Sequence, residues 1–329
     1  MLKPIAGLFL MAVACQACLN LLVVPPMCIN NRNSGVTTVS SSLADTLLTS
    51  QQIASKVVTM YTNGKCPTGT ADKTKACSQG KCNTGSQRVT SYYAEQLVTV
   101  NGVKQKLIIT NNMPDHCSEI GAKTSNPNLA CEHFYAMLVP VSPTKGTTYT
   151  QWQLGAIGIA NSGASIYNQQ SAASGCNIAA ITEADTFDSC TGHADSDCAY
   201  HYHSPPVCIK EYNQCGLIGY ARDGFPIRGP CSATYIDGTG TVTMKSSYRE
   251  TASPGCAVSH FTYDPTTTGG NLDQANGHTF AKAATGANGA KFAAGEYVYF
   301  MTDHYPYSLP GYFGTTVTHI CEFTLADLA

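Results

Sequence analysis

The amino-acid sequence predicts a mainly β protein: a disulfide-rich β-sandwich or distorted barrel with long loops and a small N-terminal helical or cysteine-stapled region. Two observations predict it. Short segments rich in β-branched and aromatic residues alternate with turns that contain Gly and Pro, a pattern typical of sandwiches and barrels. The 329 residues also include 16 cysteines, which in an exported chain indicate a disulfide framework.

The first residues have the pattern of a secretory signal peptide, which we predict to span residues 1–17. Lys3 supplies a short positive region, and residues 4–14 form an apolar stretch of the usual length. This stretch is shorter than the ~20 residues that cross a bilayer; a retained anchor or a buried helix is the alternative. We therefore expect a secreted protein, extracellular or at the cell surface, with no membrane span in the mature chain.

The cysteines beyond Cys18 are best explained as disulfide partners. No Cys-x2-Cys pair occurs among them, although closed zinc sites usually show such a pair. Disulfides are therefore favoured over zinc, and the pairing stays open. These cysteines are Cys28, Cys66, Cys77, Cys82, Cys117, Cys131, Cys176, Cys190, Cys198, Cys208, Cys215, Cys231, Cys256 and Cys321.

Charged residues are few. The net charge is −2, and only 12% of the residues are charged. A chain this close to neutral offers no basic surface to nucleic acid or to an anionic membrane. We expect no nucleic-acid partner, and any other partner must be recognised by local chemistry.

Residues 18–84 are predicted to form a cysteine-containing N-terminal extension. Within 29–62, apolar residues at near-helical spacing favour a helix of about 15 residues. Residues 64–86 carry three cysteines among Gly, Thr, Lys and Asn, so we expect a small disulfide-stapled region or an extended loop that is ordered mainly by its bridges. The apolar residues of the helical pattern are Leu43, Leu47, Leu48, Ile53 and Val57.

From Gln87 onward the sequence changes to candidate strands. Asn101-Gly102, between two β-branched segments, predicts a hairpin turn. No internal repeat is strong enough to predict a duplicated domain; the nearest is Tyr-His-Tyr-His at 200–203, echoed by Tyr-Val-Tyr-Phe at 297–300. The predicted strands are 88–93, 96–100, 104–110, 134–141, 151–159, 207–209, 217–220, 241–244, 260–263, 296–302 and 319–323.

The Tyr-His-Tyr-His run is the strongest candidate for chemistry. On an extended strand, His201 and His203 project from one face while the two tyrosines project from the other. Two imidazoles at that spacing can reach one metal ion, and His193 can supply a third nitrogen. Such a set suits Zn or Cu, with His116 as a candidate fourth ligand.

The alternative is that these histidines are polar residues of a half-exposed strand, held by hydrogen bonds. Four cysteines surround the segment and make it rigid under either interpretation; they are Cys190, Cys198, Cys208 and Cys215. Asp195 and Asp197, in the preceding turn, can ligate a metal or orient a ligand imidazole.

Other turns carry carboxylates that are candidates for acid or base chemistry. Asp115 adjoins His116, Asp223 lies in an Asp-Gly turn, and Asp273 lies near His278. A hydrogen-bonding role within the turn is favoured at each position. No serine-nucleophile elbow, phosphate-binding loop or His-Glu-x2-His motif occurs, so serine hydrolase and nucleotide chemistry lack support.

Several segments, in order, resemble the YHYH family, which is named for the run at 200–203. The resemblance covers roughly residues 85–315, leaving 316–329 as a C-terminal strand or tail. It implies an exported domain, found in bacteria and some eukaryotes, without an established biochemical activity. The matching segments are 112–116, 126–128, 155–158, 192–193, 200–205, 219–230, 272–278 and 297–307.

Three functions are compatible with these features. The first is a secreted domain with a His-based metal site that holds Cu or Zn. The second is a structural or adhesive extracellular protein without catalytic activity, with a partner in the matrix or at the cell surface. The third is a metal-assisted hydrolase or oxidoreductase, with Asp115, Asp223 and Asp273 as acid/base candidates; enzymatic activity stays open.

Overall fold

A computed structural model describes residues 37–66, 80–84, 87–116, 125–251 and 255–329. The predicted signal peptide and most of the cysteine-rich stretch 64–86 lie outside the described residues, as do Cys28, Cys77 and Cys117. Within the described ranges, no helix is long and apolar enough to cross a membrane.

The predicted N-terminal helix is present as two pieces. The longer piece begins with a capping box, in which the Thr49 side chain accepts from the Gln52 amide and Gln52 accepts in return from the Thr49 amide. Its buried face includes Ile53, Val57 and Met60, at the i, i+4, i+7 spacing of an amphipathic helix. The helices are α1 (Ser42–Asp45), α2 (Ser50–Thr62), α3 (Ala179–Thr182) and α4 (Pro265–Thr268).

Most of the remaining regular structure is strand, as predicted. The strands are β1 (Thr37–Val39), β2 (Gln87–Val89), β3 (Tyr93–Val100), β4 (Val103–Thr110), β5 (Phe134–Pro140), β6 (Lys145–Gln151), β7 (Ala156–Ala160), β8 (Ser165–Tyr167), β9 (Gly192–Ala194), β10 (Tyr200–Tyr202), β11 (Leu217–Ala221), β12 (Pro226–Arg228), β13 (Ser232–Tyr235), β14 (Thr241–Thr243), β15 (Tyr248–Glu250), β16 (Phe261–Tyr263), β17 (Gly277–Thr279), β18 (Ala284–Gly286), β19 (Lys291–Phe292), β20 (Tyr297–Phe300), β21 (Gly311–Gly314) and β22 (Ile320–Phe323).

The main sheet of the described residues has eight strands in the order β17-β20-β12-β11-β7-β8-β10-β9. Two four-stranded sheets have the orders β22-β5-β4-β3 and β14-β13-β18-β19. None of these three sheets closes on itself, so the barrel alternative is not realised. The prediction of a mainly β, disulfide-rich protein is confirmed.

Three strand predictions are wrong. The segment 88–93 divides between β2 and β3, which belong to different sheets. The segment 151–159 was expected as one strand but divides between β6 and β7, which belong to different sheets. The segment 207–209 forms turns: the Ile209 amide donates to the Pro206 carbonyl, and the Tyr212 amide donates to the Ile209 carbonyl. Two prolines and a disulfide at Cys208 favour this turn over an extended ladder.

The predicted hairpin at Asn101-Gly102 joins β3 to β4 in the sheet β22-β5-β4-β3. Both turn residues have positive φ, 50° and 78°, as a tight two-residue hairpin requires. The buried face of α2 packs against this sheet, where Ile53 and Val57 share a core with Leu107 and Phe134.

The prediction that the cysteines form disulfides is confirmed. Every cysteine of the described ranges is disulfide-bonded, so none of them is a thiolate zinc ligand. The pairs formed among them are Cys66–Cys321, Cys82–Cys131, Cys176–Cys256, Cys190–Cys208 and Cys215–Cys231.

Candidate metal centre

The Tyr-His-Tyr-His run consists of β10 and the residue that follows it, near one edge of the eight-stranded sheet. β10 pairs antiparallel with β9, which places His193 opposite His201. Because side chains alternate along a strand, His203 returns to the face of His201. Three imidazoles therefore share one face of the sheet, as the sequence predicts.

The Nε2 atoms of the three histidines converge. Nε2 of His201 lies 2.9 Å from that of His193 and 3.1 Å from that of His203. The rings are buried, with at most 9% of each residue exposed. The three nitrogens are therefore close enough to bind one ion and are shielded from water.

The other ring nitrogen of each histidine meets an oxygen acceptor. Nδ1–H of His201 donates to the Ala199 carbonyl at 2.9 Å, and Nδ1–H of His203 donates to the Asn168 carbonyl at 2.6 Å. A carbonyl only accepts, so both rings carry their proton on Nδ1. Their Nε2 atoms present lone pairs.

His193 has the same tautomer for a less direct reason. Its Nδ1 lies 2.6 Å from the hydroxyl oxygen of Thr186. That hydroxyl donates its single proton to the Glu183 carbonyl at 2.6 Å, so it accepts from the His193 ring. All three Nε2 lone pairs then face one another with no proton between them.

Glu183 completes the group, although no sequence pattern points to it. Its Oε2 lies 3.4 Å from Nε2 of His193 and 3.3 Å from Nε2 of His203. Oε2 is buried and has no hydrogen-bond partner, while Oε1 accepts from Ser171. Glu183 follows α3, ten residues before His193 and in irregular chain, so no spacing rule identifies it.

The four donor atoms lie within 4.8 Å of one another. Four lone pairs without a proton repel one another, and burial of unpaired acceptors is unfavourable. A cation at their centre would remove both penalties. Three imidazole nitrogens and one carboxylate oxygen are a ligand set that suits Zn²⁺ or Cu²⁺.

Burial keeps the imidazoles neutral, the form that binds metal. It lowers the pKa of His193 to about 3, with a further contribution from His203. It also lowers the pKa of His201 well below its usual value, and both neighbouring histidines act in the same direction. For His203, burial lowers the pKa although Glu183 acts against it.

Tyr167 fixes the plane of the His201 ring. The two rings stack with centroids 3.8 Å apart and an interplanar angle of 15°. The Tyr167 hydroxyl donates to Asp195 at 3.0 Å. Asp195 also accepts from the Asp197 and Ala199 amides, so this carboxylate orients the site through Tyr167 and does not ligate.

His116, the predicted fourth ligand, lies away from these donors. Its Nε2 contacts the hydroxyl of Tyr202, whose side chain points to the opposite face of β10 from His201. The donors near His116 are the sulfurs of Cys190 and Cys208, which are bonded to each other. Glu183 therefore takes the fourth position in the group, and His116 does not.

Two of the carboxylates considered for acid/base chemistry, Asp223 and Asp273, are also elsewhere. Asp223 accepts from the Tyr299 hydroxyl at 2.6 Å, and Asp273 accepts from the Tyr297 hydroxyl at 2.9 Å. Both tyrosines belong to β20, near the opposite edge of the sheet from β10. Asp223 has the turn role that the sequence favours, since its side chain also accepts from the Phe225 amide.

Comparison with known proteins identifies the family. No curated protein and no solved structure matches the chain. A family model described as YHYH protein matches residues 136–314, a range that contains the eight-stranded sheet and all four donor residues. This match covers more than half of the 329 residues, and the protein therefore belongs to the YHYH family.

Proposed function

We propose that this protein is an extracellular metal-binding protein that holds one Zn²⁺ or Cu²⁺ ion between His193, His201, His203 and Glu183. One observation carries the proposal: three buried Nε2 lone pairs and an unpaired carboxylate oxygen face one another with no proton among them. The predicted signal peptide and the disulfides support an extracellular location.

The surroundings favour holding an ion over catalysis. Four protein donors fill a tetrahedral coordination shell, whereas a catalytic zinc keeps one position for water or substrate. A hydrolytic site also needs an acid or base within reach. Asp223 and Asp273 are engaged with β20 tyrosines, and the nearer Asp195 is occupied by Tyr167 and two amides.

Metal analysis of protein purified without an affinity tag tests the proposal. We expect about one ion per chain after loading with zinc or copper and removal of excess. The double variant His201→Ala/His203→Ala should bind none, because it removes two of four donors. His304→Ala, which removes an exposed histidine outside the group, is the matched control and should bind as wild type does.

The same experiment separates the alternatives. A metal content near zero in wild type, unchanged in the double variant, would contradict the proposal and favour a structural or adhesive protein. Electron paramagnetic resonance of copper-loaded protein should show nitrogen couplings from imidazole ligands. Competition between the two ions then gives the preferred metal.

A further inference from the structure

The eight-stranded sheet consists of two halves that repeat one sequence pattern. Gly-x-Ile-Gly-x-Ala-x2-Gly-x2-Ile occurs at 155–166 and again at 216–227. Asp-x3-Gly-His occurs at 188–193 and at 273–278, and each is followed by Tyr-x-Tyr, at 200–202 and 297–299. The first set builds β7 to β10, and the second builds β11, β12, β17 and β20.

The strand pairings repeat with the patterns. β7 and β8 form an antiparallel pair with an irregularity just before Gly158, and β11 and β12 form one with an irregularity just before Gly219. In the first half β8 runs parallel to β10, as β12 runs parallel to β20 in the second. The registers also agree: Ile166 pairs with Tyr202, Ile227 with Tyr299, His193 with His201, and His278 with Val298.

A pseudo-twofold axis relates the halves where β7 meets β11. Ile159 pairs there with Tyr220, its own counterpart in the repeat. Reciprocal hydrogen bonds flank this pair: the Asn161 amide donates to the Ile218 carbonyl, and the Arg222 amide donates to the Ile157 carbonyl. An interface in which each contact recurs with the partners exchanged is isologous.

The metal ligands have counterparts in the second half. His193 corresponds to His278, whereas His201 and His203 correspond to Val298 and Phe300. Val298 and Phe300 are fully buried in an apolar cluster. The other members of that cluster include Leu272, Phe280 and Phe292.

His278 keeps the orientation of its counterpart. Its Nδ1–H donates to the Asn271 carbonyl at 3.0 Å, and Asn271 holds the position that Thr186 holds before His193. Its Nε2 is buried without a hydrogen-bond partner. One imidazole surrounded by apolar side chains cannot bind an ion tightly. At the position where the first half has metal ligands, the second half therefore has an apolar cluster.

We propose that the metal ion of the first half is structural and performs the packing role that the apolar cluster performs in the second half. This inference rests on the proposed metal binding. The segment 168–191 lies over this face: Phe187 packs against the rings of His193 and His203, and Glu183 lies beside both Nε2 atoms. His193 and His201 come from β9 and β10, and His203 directly follows β10. An ion bound to Glu183 and to the histidines would fasten the segment to the sheet. The four donor groups are polar, so they cannot hold the two parts together by burying apolar surface.

Hydrogen–deuterium exchange of the wild-type chain, zinc-loaded and then chelated, tests the inference. We expect chelation to accelerate exchange by about tenfold or more in peptides of 168–203. Peptides of 271–300, the equivalent region without an ion, serve as the internal control and should not change. One ion per chain with unchanged exchange at 168–203 would overturn the structural role and leave the proposed function intact; absence of binding would refute the proposed function itself.

A variant in which His201 and His203 are replaced by their counterparts in the second half, Val and Phe, gives a second measurement. His201→Val/His203→Phe should bind no metal, and its melting temperature should not respond to a chelator. The wild-type melting temperature should fall on chelation, and an unchanged wild-type value would contradict the inference. The exchange comparison needs no variant, so the test stands even where the double substitution prevents folding.

Discussion

At the candidate metal centre, each histidine ring is fixed by the oxygen that it meets on its outer side. Carbonyls at Ala199 and Asn168 and the hydroxyl of Thr186 hold the Nδ1 protons. Such partners orient a ring and determine which nitrogen is free to bind a metal. The site is thus preorganised. Its four donor atoms repel one another when no ion is bound, and removal of this repulsion would contribute to the free energy of metal binding.

Thr186 is the partner that a side-chain substitution can remove. We expect Thr186→Val to weaken metal binding by about 10- to 100-fold, because the His193 ring loses its acceptor. Isothermal titration calorimetry with zinc measures the change. Thr182→Val, which removes a hydroxyl of the same segment that donates to the Cys176 carbonyl, is the matched control, and equal affinities for the two variants would refute this role.

Asp223 is a buried carboxylate that forms no ion pair with any of the described residues. Burial raises its pKa to about 6, although hydrogen bonds from Tyr299 and from the Phe225 and Gly314 amides act in the opposite direction. The folded protein therefore binds a proton at this group where the unfolded chain, with the ordinary value of 3.8, has released it. Stability from this group is greatest at low pH and is lost as pH rises between about 4 and 6.

The variant Asp223→Asn should remove that pH dependence. Relative to the variant, the free energy of unfolding of wild type should fall by about 2 kcal/mol between pH 4 and pH 7, since one pKa unit corresponds to about 1.4 kcal/mol and the unfolded chain has already released part of this proton at pH 4. Urea unfolding at several pH values measures both proteins. Parallel pH profiles would show that Asp223 does not titrate in this range.

At the scale of elements, a glycine at the start of β9 permits close packing against β10. A Cβ at Gly192 would overlap with the phenol of Tyr200, and a Cβ at Gly277 would overlap with the phenol of Tyr297. Both rings are buried in one core and cannot move aside cheaply. The same local packing thus supports the ligand-bearing pair β9/β10 and the ligand-poor pair β17/β20.

Because Gly192 and Gly277 have equivalent surroundings, their alanine variants form a matched pair. Gly192→Ala and Gly277→Ala should each lower the free energy of unfolding by about 1–3 kcal/mol through overpacking. Only Gly192→Ala should also weaken metal binding, because it shifts His193 relative to His201. Thermal unfolding and metal titration of both variants test this, and an equal loss of metal affinity in the two would contradict the assignment of the site to one half.

Two features of the fold could be predicted from short stretches of sequence. The hairpin at Asn101-Gly102 and the alternation along β10 follow from turn chemistry and from a period of two. Beyond the echo of Tyr200–Tyr202 at 297–299, the repeat in the main sheet gives only a weak sequence signal, because its strands are short and its matching residues are mostly Gly, Ala and Ile. Such residues are common, so only the shared register reveals that they are equivalent.

At the scale of the molecule, disulfides join parts of the chain that are far apart in sequence. Cys66, just beyond α2, is bonded to Cys321 in β22, across 255 residues. β22 pairs with β5, and α2 packs on the same four-stranded sheet. The bond therefore fastens α2 to β22, the last strand among the described residues.

Removal of this bond should destabilise the protein without affecting the metal centre. We expect Cys66→Ala/Cys321→Ala to lower the free energy of unfolding by about 2–5 kcal/mol, as is typical for a bond that closes a long loop. Denaturant unfolding measures the loss, and the metal content should stay at the wild-type value because the donors belong to another sheet. A loss of metal in this variant would indicate that the metal centre depends on the Cys66–Cys321 bond, and would contradict this prediction.

The mainly β class, the oxidised cysteines and the shared face of His201 and His203 could all be predicted from the amino-acid sequence. These follow from composition and from the period of a strand, which are local properties. Tertiary structure alone decided that Glu183, and not His116, meets the three histidines. Which residues converge depends on how the irregular segment that carries Glu183 crosses the sheet, and no local spacing along the chain encodes that path.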